Sequence, residues 1–241
     1  MGIDVSAAKV VTVNDHHQNG VDTSVAGNPT RGRFRGVNLL HVFSRNQKGP
    51  RRDDGNPLVH ALKGKRGFSI LPFWKARLMA RAEEILGKVS DELKQFDYVL
   101  PIPSSSPFCA EFAALVSSVS GVPVLEPSFL RKRLIGELTA ELQANPPKLR
   151  PNLQLALESK MRTWAAMDPS ATYQAKDVDV MALRPHIRAF ELAGEAPDLQ
   201  GKWVLIVDDV FASGSSLVSG ADILRDKLGA KVAGACFLSG V

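Results

Sequence analysis

Cysteine is scarce in this chain, which has only Cys109 and Cys236 among its 241 residues. Two thiols are too few for a multi-disulfide framework or a four-cysteine zinc site, so a disulfide-rich secreted scaffold and a zinc ribbon are both excluded. Both cysteines lie in mostly apolar stretches, where we expect buried, free thiols in a reducing compartment. We therefore expect a cytoplasmic protein.

Long apolar runs are also missing. No stretch approaches the roughly 18 consecutive apolar residues that a membrane-spanning helix needs. The amino-terminal residues lack the basic and then apolar order of a signal peptide. Hydrophobic residues nevertheless make up 44% of the composition, which is enough to bury the core of one domain. The sequence predicts a globular protein without a membrane segment.

Acidic residues are nearly absent from one part of the chain. Between positions 31 and 66 only Asp53 and Asp54 oppose ten cations, namely Arg31, Arg33, Arg35, Arg45, Lys48, Arg51, Arg52, Lys63, Lys65 and Arg66. Such a block could neutralise the phosphates of a nucleic acid or of another polyanion. A solvated arm, or an arm that docks on a protein partner or in a homodimer, would have the same composition, so these interpretations stay open.

The chain changes character near residue 56. Gly, Asn, Asp, Ser and Arg dominate residues 1–55, with one apolar island at Val37–Phe43, and this predicts a basic, partly disordered and mobile arm with a single short ordered element. From there we expect a helical lead-in over 56–95 and an α/β core over 96–241. A long, weakly patterned insertion over 130–200 interrupts that core, which indicates a lid, a binding loop or disorder.

Apolar periodicity supports an α/β core. It predicts helices at Lys75–Leu93, Pro107–Val119, Asn152–Ala165 and Gly214–Leu228. Short apolar runs predict strands at Asp97–Pro103, Gly121–Leu125, Trp203–Val207 and Lys231–Leu238. Strand, helix and strand at these separations form βαβ units. The predicted fold class is therefore α/β, with a mainly parallel sheet flanked by helices.

The most informative segment is Val204–Leu217, where a buried strand carries Asp208 and Asp209 to its carboxyl end. A turn of small residues then opens a helix, and the turn consists of Ala212, Ser213, Gly214, Ser215 and Ser216. Small side chains let backbone N–H groups close around a phosphate, and the helix amino terminus adds partial positive charge. Successive strand residues point to opposite faces, so at least one of the two acids should project into the crevice. Acids there suit ribose hydroxyls or a hydrated magnesium ion.

This order of strand, acidic pair and small-residue turn resembles the signature of type I phosphoribosyltransferases. The resemblance implies their fold, binding of phosphoribosyl pyrophosphate or a nucleotide, and Mg²⁺ that is carried by the substrate and not by protein side chains. It implies that Asp208 and Asp209 are the catalytic acids that contact the ribose hydroxyls, and that residues 212–216 hold the 5′-phosphate. Phe211 departs from the usual aliphatic residue, and Ala212 and Ser213 stand where threonines are common.

A less specific similarity covers about residues 56–241 and points to the ComF-like subgroup. Phe96–Pro103 resembles the strand and turn of the ComF-type pyrophosphate loop, Asn56–Gly67 resembles the lysine-containing segment before it, and Arg184–Phe190 resembles the approach to the acidic strand. The resemblance implies a pyrophosphate loop at Pro103, Ser104 and Ser105. Two features depart from the subgroup, because the chain lacks the amino-terminal cysteine cluster and the serine turn carries no basic residue.

The leaving pyrophosphate also has to be neutralised, and a mobile basic loop commonly supplies the charge and the closure. Arg131, Lys132 and Arg133 lie at the start of the insertion and are candidates for this flexible loop. A surface basic cluster at the end of a strand would have the same sequence.

Three functions agree with these residues. The first is a phosphoribosyltransferase that transfers the phosphoribosyl group to a nitrogen acceptor. The second is a non-catalytic, nucleotide-sensing regulator of the same fold that uses its basic arm on nucleic acid. The third is an effector of a bacterial toxin or defence module that modifies a macromolecule. Resemblance at the level of the fold does not choose among them, but the intact acidic pair and turn favour substrate binding, and we expect the enzyme.

Overall fold

The protein is described here by a computed structural model that covers residues 1–46 and 56–239. Its strands are β1 (Gly2–Val5), β2 (Val10–Asn14), β3 (Val21–Asp22), β4 (Thr30–Phe34), β5 (Val37–Arg45), β6 (Ser69–Ile70), β7 (Tyr98–Pro101), β8 (Leu130–Lys132), β9 (Phe190–Leu192), β10 (Trp203–Val210) and β11 (Lys231–Leu238). Its α-helices are α1 (Pro57–Leu62), α2 (Pro72–Gly87), α3 (Ser90–Leu93), α4 (Phe108–Ser120), α5 (Ile135–Ala144), α6 (Pro151–Ala165) and α7 (Ser215–Asp226). Short 3₁₀ helices cover Pro127–Phe129, Ala175–Asp177 and Met181–His186.

A six-stranded sheet forms the centre of the protein. Strands β5, β11, β10 and β7 run parallel in this order. Strands β3 and β4 pair antiparallel with the other edge of β5. Since both faces of the sheet are covered, β10 is a continuous apolar run over Val204–Val207, each residue being at most 2% exposed.

Two hydrophobic cores lie on the two faces of this sheet. Leu205 and Val207 belong to the core that holds the buried sides of α2 and α4. Val204 and Ile206 belong to the other core, with α7 and the insertion, because successive residues of a strand face opposite sides. The parallel strands end at a common edge, where α7 begins.

The first 46 residues differ from the mobile arm that the composition predicts. Strand β5 lies inside the central sheet, with His41 in register with Cys236 of β11. Phe43 is fully buried and packs edge-on against Phe237, at 4.9 Å between ring centroids. The apolar island is therefore a central strand, and the polar residues around it form its antiparallel neighbours. The rest of the predicted arm, residues 47–55, lies outside the described residues.

Side-chain contacts also attach the amino-terminal residues to the rest of the protein. Strand β2 pairs with β1 and, in parallel, with β6, which follows α1. Arg81 of α2 forms an ion pair with Asp15 and donates a hydrogen bond to the Thr23 hydroxyl over 3.1 Å. A charged side chain that is 8% exposed needs such partners, so these contacts fix α2 against the amino-terminal segment.

The insertion over 130–200 is ordered. Strands β8 and β9 pair antiparallel, α5 packs on α6, and Trp164 and Tyr173 are each at most 2% exposed. The helix predicted at Asn152–Ala165 is α6, which begins one residue earlier at Pro151. The weak pattern of the sequence reflects short elements, since 3₁₀ turns and three-residue strands carry too few repeats to show a period.

Two predicted elements change their extent. The helix predicted at Lys75–Leu93 is divided into α2 and α3, because α2 ends at Gly87 and Val89 has a non-helical φ of −122°. The strand predicted at Gly121–Leu125 is reduced to one bridge between Val99 and Val124, since Pro123 has no N–H to donate to a ladder. Within residues 1–46 and 56–239, no helix has the length and apolarity to cross a bilayer.

The buried position of β5 leads to a test of the fold. We expect Phe43→Ala to lower the free energy of unfolding by about 3–5 kcal/mol, the usual loss for a phenylalanine in a core, as measured by urea denaturation. Phe73→Ala is the matched control, because Phe73 is 68% exposed, and it should change stability by less than about 0.5 kcal/mol. Equal small effects at both positions would contradict the placement of β5 in the sheet.

Candidate functional site

A cleft of about 1070 Å³ opens at the carboxyl ends of β7 and β10 and the amino end of α7. Ligands of open α/β sheets bind at this edge. The cleft is lined by all the residues predicted for the acidic pair (208–209), the phosphate turn (212–216) and the pyrophosphate loop (103–105). Of the predicted basic loop, Lys132 alone lines it. The fold thus brings together residues that are more than a hundred positions apart.

The two acids at the end of β10 have different surroundings. Asp209 is 2% exposed and forms an ion pair with Lys63, which caps the carboxyl end of α1. Asp208 points to the other face of the strand and is half-buried at the cleft, and its carboxylate accepts a hydrogen bond from the Asp209 backbone N–H over 2.8 Å. The sequence predicts a functional pair, whereas the structure gives each acid its own environment.

Burial is the main cause that raises the pKa of Asp208 above its ordinary value, and the neighbouring Asp209 carboxylate raises it further. The Lys63 ammonium acts in the opposite direction and lowers it. The folded protein therefore keeps a proton on Asp208 to a higher pH than the unfolded chain does. An uncompensated acid of this kind destabilises the fold, and it is typical of a functional position.

The turn before α7 has the geometry that the predicted phosphate site needs. Gly214 is the N-cap residue, with a φ of +69°, and no side chain caps the helix. The first N–H groups of a helix have no partner inside it. Here the Ser215 N–H donates to the Ser213 hydroxyl over 3.5 Å, and the N–H groups that follow it are available to an anion in the cleft. The Ser213 hydroxyl donates to the Ser215 hydroxyl over 3.1 Å, which draws the turn together.

Two aromatic rings support this turn from behind. Phe34 of β4 and Phe211 meet edge to face, at 5.3 Å between ring centroids. A Cβ atom on Gly214 would lie 2.7 Å from a Phe34 ring carbon and 2.8 Å from a Phe211 ring carbon. Only glycine fits at 214, for reasons of both space and φ. Phe211, which stands where the phosphoribosyltransferase signature usually has an aliphatic residue, thus packs against the turn.

Basic side chains line the part of the cleft near α1. They are Lys63, Lys65, Arg66 and, from β8, Lys132. The Lys65 ammonium donates to the Ser105 hydroxyl over 3.3 Å, so a cation does stand beside the serine turn that has none in its own sequence. Lys63 and Lys65 belong to the lysine-containing segment Asn56–Gly67, but the sequence pattern does not mark either of them as a site residue.

The basic triplet 131–133 is not a mobile loop, which corrects the prediction. Arg131 forms ion pairs with Glu137 and Glu191, and Arg133 forms ion pairs with Glu141 and Glu191. Lys132 lies between them on a β-strand, so it points the other way, into the cleft. Burial, and then the nearby Lys65 and Lys63, lower the pKa of Lys132.

The insertion supplies a further wall that sequence reasoning missed. Tyr173, Gln174, Asp177, Asp179 and Arg184 all line the cleft. Their segment is weakly patterned, and only Arg184 falls in a segment that resembles a family pattern, at Arg184–Phe190. Among residues 1–46 and 56–239, no group of three or more His, Cys, Asp or Glu side chains could hold a metal ion. The carboxyl groups of the cleft lining lie at the end of β10 and in this segment of the insertion.

Comparisons with known proteins add little to this geometry. No protein-family model and no curated protein matches the sequence. Among solved structures, adenine phosphoribosyltransferase from Leishmania tarentolae has 11% identity and a TM-score of 0.34, covering 99% of this chain and 94% of that chain. The enzyme from Leishmania donovani has 12% identity and a TM-score of 0.31, covering 86% of each chain. TM-scores this low do not assign a function, which has to rest on the cleft itself.

The different surroundings of the two acids should have opposite effects on stability. A carboxyl group whose pKa is raised by folding costs stability above its unfolded pKa, and the cost grows until pH passes its folded pKa. We expect Asp208→Asn to raise the free energy of unfolding by about 1 kcal/mol or more at pH 8, and to give no gain at pH 4. Asp209→Asn leaves Lys63 without its carboxylate partner and should lower the free energy of unfolding by about 3 kcal/mol.

Urea denaturation of both variants at the two pH values measures this difference. The control is Asp226→Asn at the exposed end of α7, with an expected change within about 0.5 kcal/mol. Equal losses from Asp208→Asn and Asp209→Asn would show that both acids are structural.

Proposed function

We propose that the cleft binds phosphoribosyl pyrophosphate, or a related ribose 5′-phosphate, and that the protein transfers the phosphoribosyl group to a nitrogen acceptor. One observation carries this proposal. The uncapped amino end of α7 and the half-buried carboxyl of Asp208 lie side by side in a cleft whose other wall is basic. Anion site, hydroxyl acceptor and cationic wall are the three parts that this ligand requires.

The turn is suited to the 5′-phosphate. Backbone N–H groups at the start of α7 and the partial positive charge of the helix both favour a dianion. Ser213 and Ser216 are half-buried in the cleft. The Ser216 hydroxyl adds a donor, whereas the Ser213 hydroxyl donates to Ser215. The rings of Phe34 and Phe211 keep the turn from collapsing, so the phosphate would meet a preformed site.

The acids are suited to the ribose. Asp208 faces the cleft and can accept hydrogen bonds from ribose hydroxyls, which would favour its ionised form once the ligand is bound. Asp209 acts through Lys63, since their ion pair orients the ammonium at the base of the cleft. We therefore assign Asp208 to ribose binding and Asp209 to the positioning of Lys63.

The basic wall is suited to the leaving group. In the transfer, the bond from C1 of the ribose to the pyrophosphate oxygen breaks, and pyrophosphate leaves with the electron pair. The acceptor nitrogen forms the new bond to C1 and loses its proton, through a transition state with oxocarbenium character. Lys63, Lys65 and Lys132 can neutralise the departing oxygens. Magnesium would arrive on the pyrophosphate of the substrate, as it usually does with phosphates.

A non-catalytic regulator and a defence effector would use the same ligand site, and they remain alternatives within this proposal. Two of the cations that the sequence offers to a nucleic-acid partner form contacts within the protein. Arg31 forms a bidentate ion pair with Glu92, and Arg35 donates to the Pro185 carbonyl and to His186. Release of pyrophosphate from magnesium phosphoribosyl pyrophosphate, with and without RNA or candidate bases, separates the three functions. The ComF-like subgroup, cytoplasmic location and homodimer also remain proposals.

Charge at the phosphate turn should control binding. We expect Ser216→Glu to weaken the binding of magnesium phosphoribosyl pyrophosphate at least about tenfold, as measured by calorimetry. The variant places a carboxylate in the first turn of α7, where the phosphate would lie. The fold should persist, since a glutamate suits the first turn of a helix. Ser159→Glu on the exposed side of α6 is the control and should bind as the parent protein does. Unchanged binding by folded Ser216→Glu would refute the phosphate site.

The half-buried lysine of β8 should act on the leaving group. We expect Lys132→Gln to lower the rate of pyrophosphate release at least about tenfold, whereas the affinity for ribose 5-phosphate, which has no pyrophosphate, should be unchanged. Steady-state assays and calorimetry measure the two effects. Lys94→Gln, at the exposed lysine that follows the carboxyl end of α3, is the control. An equal loss in the rate of pyrophosphate release and in the affinity for ribose 5-phosphate would place Lys132 at another part of the ligand.

A further inference from the structure

The lining of the cleft extends beyond the residues assigned to the phosphoribosyl group. Pockets that hold one small ligand measure roughly 300–1,000 Å³, and this cleft measures about 1070 Å³. The phosphate turn, the acids and the basic wall account for one part of its lining. Much of the remaining lining comes from the segment 173–184 of the insertion.

This segment is held in a defined conformation. Val178 is 1% exposed, and its carbonyl accepts a hydrogen bond from the buried Arg184 guanidinium over 2.7 Å. Asp177 and Asp179 stand on either side of Val178, and both are exposed. The buried valine thus fixes the backbone, while both carboxylates remain accessible at the cleft.

A second observation at the same wall points to a ligand. Tyr173 lines the cleft and is 1% exposed, with its ring edge-on to Trp164 at 5.8 Å between centroids. Its hydroxyl has no hydrogen-bond partner within residues 1–46 and 56–239. A buried hydroxyl without a partner costs free energy, so such groups need an explanation. A ligand at this wall supplies one.

We propose that the segment 173–184 binds the acceptor, and that it selects a nitrogen compound that presents N–H donors and carries no acid group. Two exposed carboxylates accept hydrogen bonds from N–H groups and repel an anion. The Tyr173 hydroxyl and the Gln174 amide, both lining the cleft, complete a wall that recognises a polar edge. This inference rests on the proposed function, because the acceptor is defined by phosphoribosyl transfer.

The test uses protein loaded with ribose 5-phosphate and pyrophosphate, which cannot react with each other. Binding of adenine and cytosine, which present N–H donors, and of orotate, which carries a carboxylate, is measured by calorimetry. We expect adenine, cytosine or both to bind and orotate not to bind. Asp177→Asn combined with Asp179→Asn should weaken that binding about tenfold and admit orotate. Glu195→Gln, exposed in the same insertion but outside the cleft lining, should change nothing.

Tyr173→Phe separates a ligand role from a structural one. It removes only the unpartnered hydroxyl, so the melting temperature should stay the same or rise, whereas binding of the same compound should weaken at least about threefold. The inference is overturned if orotate binds better than adenine and cytosine, if none of the three binds, or if the Asp177/Asp179 variant binds as the parent does. Failure of ribose 5-phosphate to bind in the first titration would instead refute the proposed function.

Discussion

The ion pair between Lys63 and Asp209 is the contact on which the site depends. It joins the carboxyl end of α1 to the carboxyl end of β10, at 16% and 3% side-chain exposure. An isolated carboxylate buried to this extent would be costly, and a buried pair is stable only when both partners are present. The pair therefore holds the basic wall of the cleft against the acids, and it fixes the opening into which a ligand must fit.

Like charges lie close together around this ion pair, and a bound ligand would relieve their repulsion. Lys63, Lys65 and Lys132 are close enough that the first two lower the pKa of the third, and the Asp209 carboxylate raises the pKa of Asp208. Like charges held together weaken the fold and are often kept for function. A ligand that carries anionic phosphates and hydroxyl groups would relieve both repulsions, because phosphates neutralise the lysines and hydroxyls donate to the carboxylate.

Sequence reasoning succeeded where structure is local and failed where it depends on contacts far along the chain. The segment 203–217 could be read as strand, acids, turn and helix because each part has its own short pattern. The position of β5 in the central sheet could not be predicted, because the polar residues on either side of it have the composition of a disordered arm. Only its pairing with β11 shows that it is a central strand. Lys63 gains its role only when α1 docks. The different orientation of Lys132 within the triplet 131–133 could be predicted from a strand, because successive strand residues point to opposite faces.

The central claim is that one cleft holds a 5′-phosphate at the turn 212–216 and a pyrophosphate at Lys63, Lys65 and Lys132. Calorimetric titration of the parent protein with ribose 5-phosphate and with magnesium pyrophosphate, each alone, and then of the ribose 5-phosphate-saturated protein with magnesium pyrophosphate, tests this claim most directly. Two separate subsites predict that each ligand binds alone and that the first does not weaken the second. Competition between the two ligands, or binding of neither, would contradict it.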